Sequence, residues 1–263
     1  MVRSIDGTRL AVAVAGKGPA LVLVDGAMSS QDSRPSAPGL EDALSEKCTV
    51  VRYDRRGRGR SDMGAAGVNA EVQDLAAIIE DVGGEAALCG FSSGAILALE
   101  AARAGLPVTR LALYEPPCVV TDDREPVPAD YPERVSKFVD EGEHIAALAL
   151  FMIQPVGMPA AVVEQMSADP DFQAGAASAR SLPFDAQVMA AVSTGNADSL
   201  RRYSGVHIPV LVMSGSATEP WLTESARAVR DALPDAHHGV VEDQGHDPSA
   251  DSILPALRSF MRL

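Results

Sequence analysis

Short apolar runs alternate with amphipathic stretches over most of the chain, and the two periods separate predicted strands from predicted helices. Residues 20–24 (Ala-Leu-Val-Leu-Val) form an uninterrupted apolar run between Gly18-Pro19 and Asp25-Gly26, as expected of a strand buried on both faces. Runs at 49–53, 86–89, 109–114, 209–213 and 239–242 predict further strands. Between them, residues 70–82 place Val72, Leu75, Ile78, Ile79 and Val82 on one helical face, and 39–47, 93–104, 221–233 and 249–261 also predict helices. Ile5-Asp6-Gly7-Thr8 reads as a tight turn joining two opening strands, the second running over 9–15. Strands alternating with helices imply an α/β fold, a mostly parallel central sheet covered by helices on both faces. Ligands of such sheets bind beyond the carboxyl ends of the strands.

The alternation stops between Pro116 and about Gly205. Pro116, Pro117, Pro126, Pro128 and Pro132 make a proline-rich linker, after which 132–140, 144–153, 159–166 and 185–192 read as helical pieces. The expected organisation is a core domain of residues 1–115 and 206–263 with a helical lid insertion, 116–205, over the strand ends. Phe138, Phe151, Met152, Met158, Met166, Phe172, Phe184 and Met189 are expected mainly in the lid's own core, the methionines being suited to an adaptable pocket.

Composition narrows the class. At 263 residues and 46% hydrophobic content the chain can bury a full core. No apolar stretch approaches the ~20 residues of a membrane span, and Arg3, Asp6 and Arg9 precede the first hydrophobic run. A cytoplasmic protein with no signal peptide and no membrane partner is therefore expected. Cys48, Cys89 and Cys118 lack CxxC spacing and are odd in number, so neither a disulfide framework nor a zinc site is called for, and no metal or cofactor is expected. The formal charge of −14 disfavours a nucleic-acid partner. Arg55-Arg56-Gly57-Arg58-Gly59-Arg60 runs against that balance, but it follows a predicted strand directly and has no aromatic residues for base stacking. It is expected to be a structural loop whose arginines pair with carboxylates.

The candidate chemistry centres on Gly90-Phe91-Ser92-Ser93-Gly94, which lies between an apolar run and an alanine-rich helical stretch. A G-x-S-x-G pattern alone arises by chance in about one chain of this length in ten. Strand before and helix after give it the context of a nucleophile elbow. The glycines allow backbones to approach a serine held in a strained turn, with its hydroxyl at a helix N-terminus where free N–H groups can hold an oxyanion. Gly245-His246 falls between the last predicted strand and the last helix, so His246 can reach Ser92 as general base.

With these motifs in this order, the chain resembles the α/β-hydrolase fold superfamily over nearly its whole length. Asp25-Gly26-Ala27-Met28 stands where that family usually has His-Gly, and Asp54 to Ser61 resembles its Asp-x-x-Gly-x-Gly-x-Ser loop. The resemblance implies oxyanion donors from the backbone of Ser93 and of Gly26 or Ala27. It also exposes a departure. Most members carry Asp three residues after the glycine ending the seventh strand, and here that glycine is Gly215 and the matching residue is Thr218. Glu219 is adjacent, yet Thr218-Glu219-Pro220 also reads as a helix start capped by Thr218. Glu115, ending the family's sixth strand beside the nucleophile's strand, is the preferred acid, an arrangement similar to zearalenone-type lactonases. Asp25 places a carboxylate near an anion site, which requires a turned-away or paired side chain, with Arg56 the expected partner.

The expected function is a serine hydrolase of a neutral, largely apolar ester or lactone, with Ser92, His246 and Glu115 as triad. The rival readings are a hydrolase-like ligand-binding protein with little turnover, and carbon–carbon hydrolysis or lyase chemistry on the same fold.

Overall fold

The computed structural model describes residues 1–121 and 124–263. The opening turn joins β1 (Val2–Arg3) to β2 (Arg9–Leu10) in a small antiparallel ribbon. The run predicted as one strand over 9–15 is divided: after Ala11 the chain enters β3 (Val12–Ala15), which belongs to the main sheet. The Ala11 carbonyl accepts from Asp54 N–H (3.0 Å) and Gln31 Nε2 (3.1 Å), which fixes this crossover. Strand numbers are consequently one higher than in the family count used above.

The main sheet adds β4 (Ala20–Val24), β5 (Thr49–Tyr53), β6 (Ala86–Phe91), β7 (Val108–Tyr114), β8 (Val210–Gly215) and β9 (Ala236–Val241). Its order is β3-β5-β4-β6-β7-β8-β9. Only β3 runs antiparallel to its neighbour. β6 therefore lies between β4 and β7, and the loops leaving these three strands, and β8 next to them, open on one edge of the sheet.

The period of two in the strands divides the core. Leu21 and Leu23 face one side, where Leu40 and Leu44 of α1 (Leu40–Ser45) and Ile253 and Leu257 of α10 (Ala250–Met261) cover them. Val22 and Val24 face the other side, under α2 (Val68–Asp81), α3 (Ser93–Arg103) and α9 (Pro220–Ala232). The apolar face predicted for 70–82 is the buried one: Val72, Leu75, Ile78 and Ile79 of α2 lie in this layer.

Between β7 and β8 the chain forms α4 (Tyr131–Asp140), α5 (His144–Ile153), α6 (Ala160–Met166), α7 (Pro170–Gly175) and α8 (Leu182–Met189), with 3₁₀ turns at Ala176–Ser181 and Ala197–Tyr203. Tyr131, Val135, Ala147, Leu148, Val163, Leu182 and Ala186 form a separate apolar cluster there. Val188, Met189, Leu200 and Tyr203 instead join the layer over α3, so the end of this segment is packed into the main core. α7 was not anticipated, although Asp169 accepts from Asp171 N–H at 2.8 Å and Pro170 occupies the first turn, a recognisable helix start. Among the described residues no helix is long and apolar enough to cross a membrane.

Candidate active site

β6 ends at Phe91 and α3 begins at Ser93, leaving Ser92 alone in the turn at φ 51° and ψ −126°. A side chain with a Cβ is strained in that region by about 1–3 kcal/mol. Ser92 N–H donates to the Tyr114 carbonyl at 2.9 Å, tying the turn to the end of β7. Both glycines of the pentapeptide are required by contact. A Cβ on Gly90 would lie 2.6 Å from Ala95 Cα, and one on Gly94 would overlap the Val24 carbonyl oxygen and sit 2.6 Å from that of Asp25.

His246 Nε2 lies 3.1 Å from Ser92 Oγ, and His246 Nδ1 lies 2.6 Å from Glu115 Oε2. A carboxylate only accepts, so Nδ1 carries the proton and Nε2 is left to accept from the serine hydroxyl. Glu115 follows β7 at φ 44°, its N–H donating to the Met213 carbonyl at 2.9 Å. Its side chain has no solvent exposure, whereas that of His246 is 40% exposed, so the acid sits behind the imidazole and the imidazole faces the open side. Glu115 Oε1 also accepts from Gly215 N–H (2.8 Å), and Oε2 from Thr218 Oγ1 (3.0 Å).

The loop bearing His246 is held at several points. Tyr114 Oη donates to the Gly245 carbonyl (2.5 Å), Ala217 N–H to that of Gln244 (2.9 Å), and Ser249 N–H to Gln244 Oε1 (2.8 Å). Thr218 does not cap α9. Glu219 is the N-cap residue, exposed and making no capping hydrogen bond with its side chain, while Thr218 reaches back to Glu115. In the sequence, Thr218 is marked only by its place at the usual acid position, where a threonine before Glu-Pro also reads as a cap.

On the other side of Ser92 is the loop after β4. A Cβ on Gly26 would come 3.1 Å from Ser92 Cβ, so the close approach depends on glycine. Gly26 N–H donates to Ser36 Oγ at 3.3 Å. The N–H groups of Ala27 and Ser93 have no partner among the described residues. Of the residues named for an oxyanion, these two therefore offer free donors and Gly26 provides the space.

The arginine run is structural, with different pairings from those expected. Asp25 pairs with Arg52, whose Nη1 lies 2.9 Å from both carboxylate oxygens, and not with Arg56; Ser36 N–H adds a bond at 3.0 Å. Arg52 is on β5, beside β4 in the sheet, a neighbour that the sequence alone does not reveal. Burial raises the Asp25 carboxyl above the usual carboxylate range, against the opposing pull of Arg52. Arg56 is fully buried and forks onto Asp74 (2.7 and 2.6 Å), with a third bond to Asp6 (2.9 Å). Arg55 forks onto Glu71 (2.7 and 2.8 Å). Asp185 of α8 accepts at one oxygen from Arg58 (2.6 Å), Arg55 (3.0 Å) and the Ser93 hydroxyl (2.6 Å). Asp185 is separated from these partners by about a hundred residues or more, and nothing in the sequence linked it to them.

Residues 21–252 match the model of the alpha/beta hydrolase family. The chain is 41% identical to an alpha/beta hydrolase from Sphaerobacter thermophilus DSM 20745, covering 99% of this chain and 100% of that one with a TM-score of 0.85. It shares its fold with an enol-lactonase from Burkholderia xenovorans LB400 (19% identity, 100% of both chains, TM-score 0.67). A thermophilic esterase from Thermogutta terrifontis is similar in the same way (22% identity, 99% of this chain and 96% of that one, TM-score 0.70). No curated protein matches. With the strand order, the family match over most of its length and a relative aligned end to end, the chain belongs to the alpha/beta hydrolase family.

Proposed function

We propose that the protein is a serine hydrolase that cleaves a carboxylic ester or lactone of a neutral, largely apolar small molecule. The observation that supports this most is the unbroken line from Ser92 Oγ through both nitrogens of His246 to Glu115, at 3.1 and 2.6 Å. Ser92 Oγ attacks the carbonyl carbon while its proton passes to His246 Nε2. Glu115 stabilises the imidazolium and keeps the ring turned towards the serine. The carbonyl oxygen, now negative, is held by the N–H groups of Ala27 and Ser93, the second of them at the positive end of α3. Collapse of the adduct expels the alkoxide, which takes the proton from Nε2. Water then repeats the sequence on the acyl-enzyme, His246 accepting its proton and returning it to Ser92.

Residues 116–205 act in this reading as the lid. Met28, Phe151, Met152 and Met158 are only partly buried against its apolar cluster and supply an adaptable apolar wall. The net charge of −14 weighs against an anionic substrate. The neighbouring esterase and enol-lactonase folds are consistent with ester and lactone chemistry.

The test is rapid mixing with p-nitrophenyl butyrate. A burst of one p-nitrophenol per chain is expected, and Ser92→Ala is expected to remove it and to lower turnover by about 10⁶-fold. Turnover in Ser92→Ala within tenfold of the parent would exclude Ser92 as nucleophile.

A further inference from the structure

We propose that Arg58 and Asp185 are positioning residues for the oxyanion site, and that through them the helical segment between β7 and β8 holds both of its backbone donors. This rests on the hydrolase reading above.

A trans peptide points its carbonyl and its N–H in opposite directions. Arg58 Nη1 donates to the Gly26 carbonyl in a buried hydrogen bond. The N–H of that same peptide unit belongs to Ala27. A donor fixed behind the peptide therefore sets the direction of the amide in front of it, and polarises that amide towards stronger donation. Arg55 Nη1 supports the preceding carbonyl, that of Asp25, at 3.3 Å.

Arg58 is placed in turn by Asp185, whose Oδ1 accepts from Arg58 Nη2 at 2.6 Å. The same oxygen accepts from the Ser93 hydroxyl at 2.6 Å, and Ser93 carries the second free amide. One carboxylate oxygen on α8 thus fastens the loop after β4 and the first residue of α3 to each other. Burial opposes ionisation of Asp185, but Arg58, Arg55 and the Ser93 hydroxyl outweigh it and hold its carboxyl below the usual range.

Stability alone does not account for the cluster. Arg55, Arg58, Glu71 and Asp185 are all within 3% of fully buried. Buried ion pairs seldom outperform apolar packing. Arg58 Nε and Asp185 Oδ2 are moreover buried without a partner among the described residues, which adds cost. A fixed, dry array of donors behind the oxyanion peptide is what this cost maintains.

The experiment uses Arg58→Met and the double variant Arg58→Met/Asp185→Asn. The double variant removes one charge of each sign and leaves Arg55 with Glu71, so it keeps the fold if the single variant does not. Active sites are counted by fluorophosphonate titration, and kcat and KM for p-nitrophenyl butyrate are measured per titrated site. Affinity is also measured for an alkyl trifluoromethyl ketone, which adds Ser92 to give a tetrahedral oxyanion. We expect kcat to fall about 10- to 100-fold with KM within about threefold, and ketone affinity to fall in step with kcat/KM. A merely structural role would lower thermal stability and the titrated fraction but leave kcat per site and ketone affinity at parent values. That result, or a loss carried by KM, overturns the inference while leaving the hydrolase reading intact. A parent protein with no Ser92-dependent turnover overturns both.

Discussion

Glu115 carries three donors on a carboxylate with no solvent exposure: the Gly215 amide, the Thr218 hydroxyl and His246 Nδ1–H. Changing it to glutamine converts one acceptor into an N–H₂ group that must face one of these donors. Glu115→Gln is therefore expected to lower kcat by about 10² to 10⁴-fold while binding persists, because the imidazole loses its anionic partner and its fixed tautomer. Glu219→Gln, at an exposed N-cap with no side-chain bond, is expected to cost less than about tenfold. Steady-state kinetics on the two variants checks the order, and the reverse order would return the acid to the end of β8. Ser92 and His246 were legible because a motif and its flanking pattern agreed. Glu115 was legible because strand adjacency could be inferred from the family order. Thr218 was not, since a threonine before Glu-Pro reads equally as a cap, and only the folded chain aims its hydroxyl at Glu115.

At the scale of elements, the continuous apolar runs located most strands within a residue or two, because burial on both faces removes the ambiguity of a half-polar pattern. β6 extends past the expected 86–89 through Gly90 and Phe91, residues that read as part of the turn. β9 begins at Ala236, before the expected Gly239, since His237 and His238 at a sheet edge give no apolar signal. Between β7 and β8, α7 and the two 3₁₀ turns are too short to show a helical period. The close contact between the loop after β4 and the elbow makes its own prediction. Gly26 has no positive φ, so Gly26→Ala adds no backbone strain, only a Cβ 3.1 Å from that of Ser92. The loop must withdraw by a few tenths of an ångström, and kcat should fall about tenfold with thermal stability nearly unchanged, since small displacements at reacting groups are costly. Equal kcat in the variant would mean that this loop does not contribute to the reaction.

Across the whole molecule, the fold gathers charge contacts that no local pattern announces. Arg56, in the loop after β5, pairs with Asp74 on α2 and with Asp6 in the opening turn, tying the small ribbon to the body. The composition suggested that the arginines would pair, but the partners follow from topology. Asp6 is held at about 2 by the Thr8 backbone and hydroxyl and then by Arg56. A carboxyl depressed on folding stabilises above its unfolded value near 3.8 and loses that contribution as pH falls towards 2. Asp6→Asn should therefore melt earlier than the parent at pH 7, by a small margin because the side chain is 39% exposed, and the two curves should converge between pH 4 and 2. Thermal melts across that range check it, and a constant gap would place the effect elsewhere.

Activation of Ser92 by His246 at the sheet's carboxyl edge is the step on which the proposed reaction depends. Its most direct test is reaction of the intact protein with a fluorophosphonate, followed by mass mapping of the modified peptide. One adduct per chain on Ser92 is predicted, and His246→Ala should suppress it. An adduct on another residue, or none in a folded parent protein, would exclude Ser92 as the activated nucleophile.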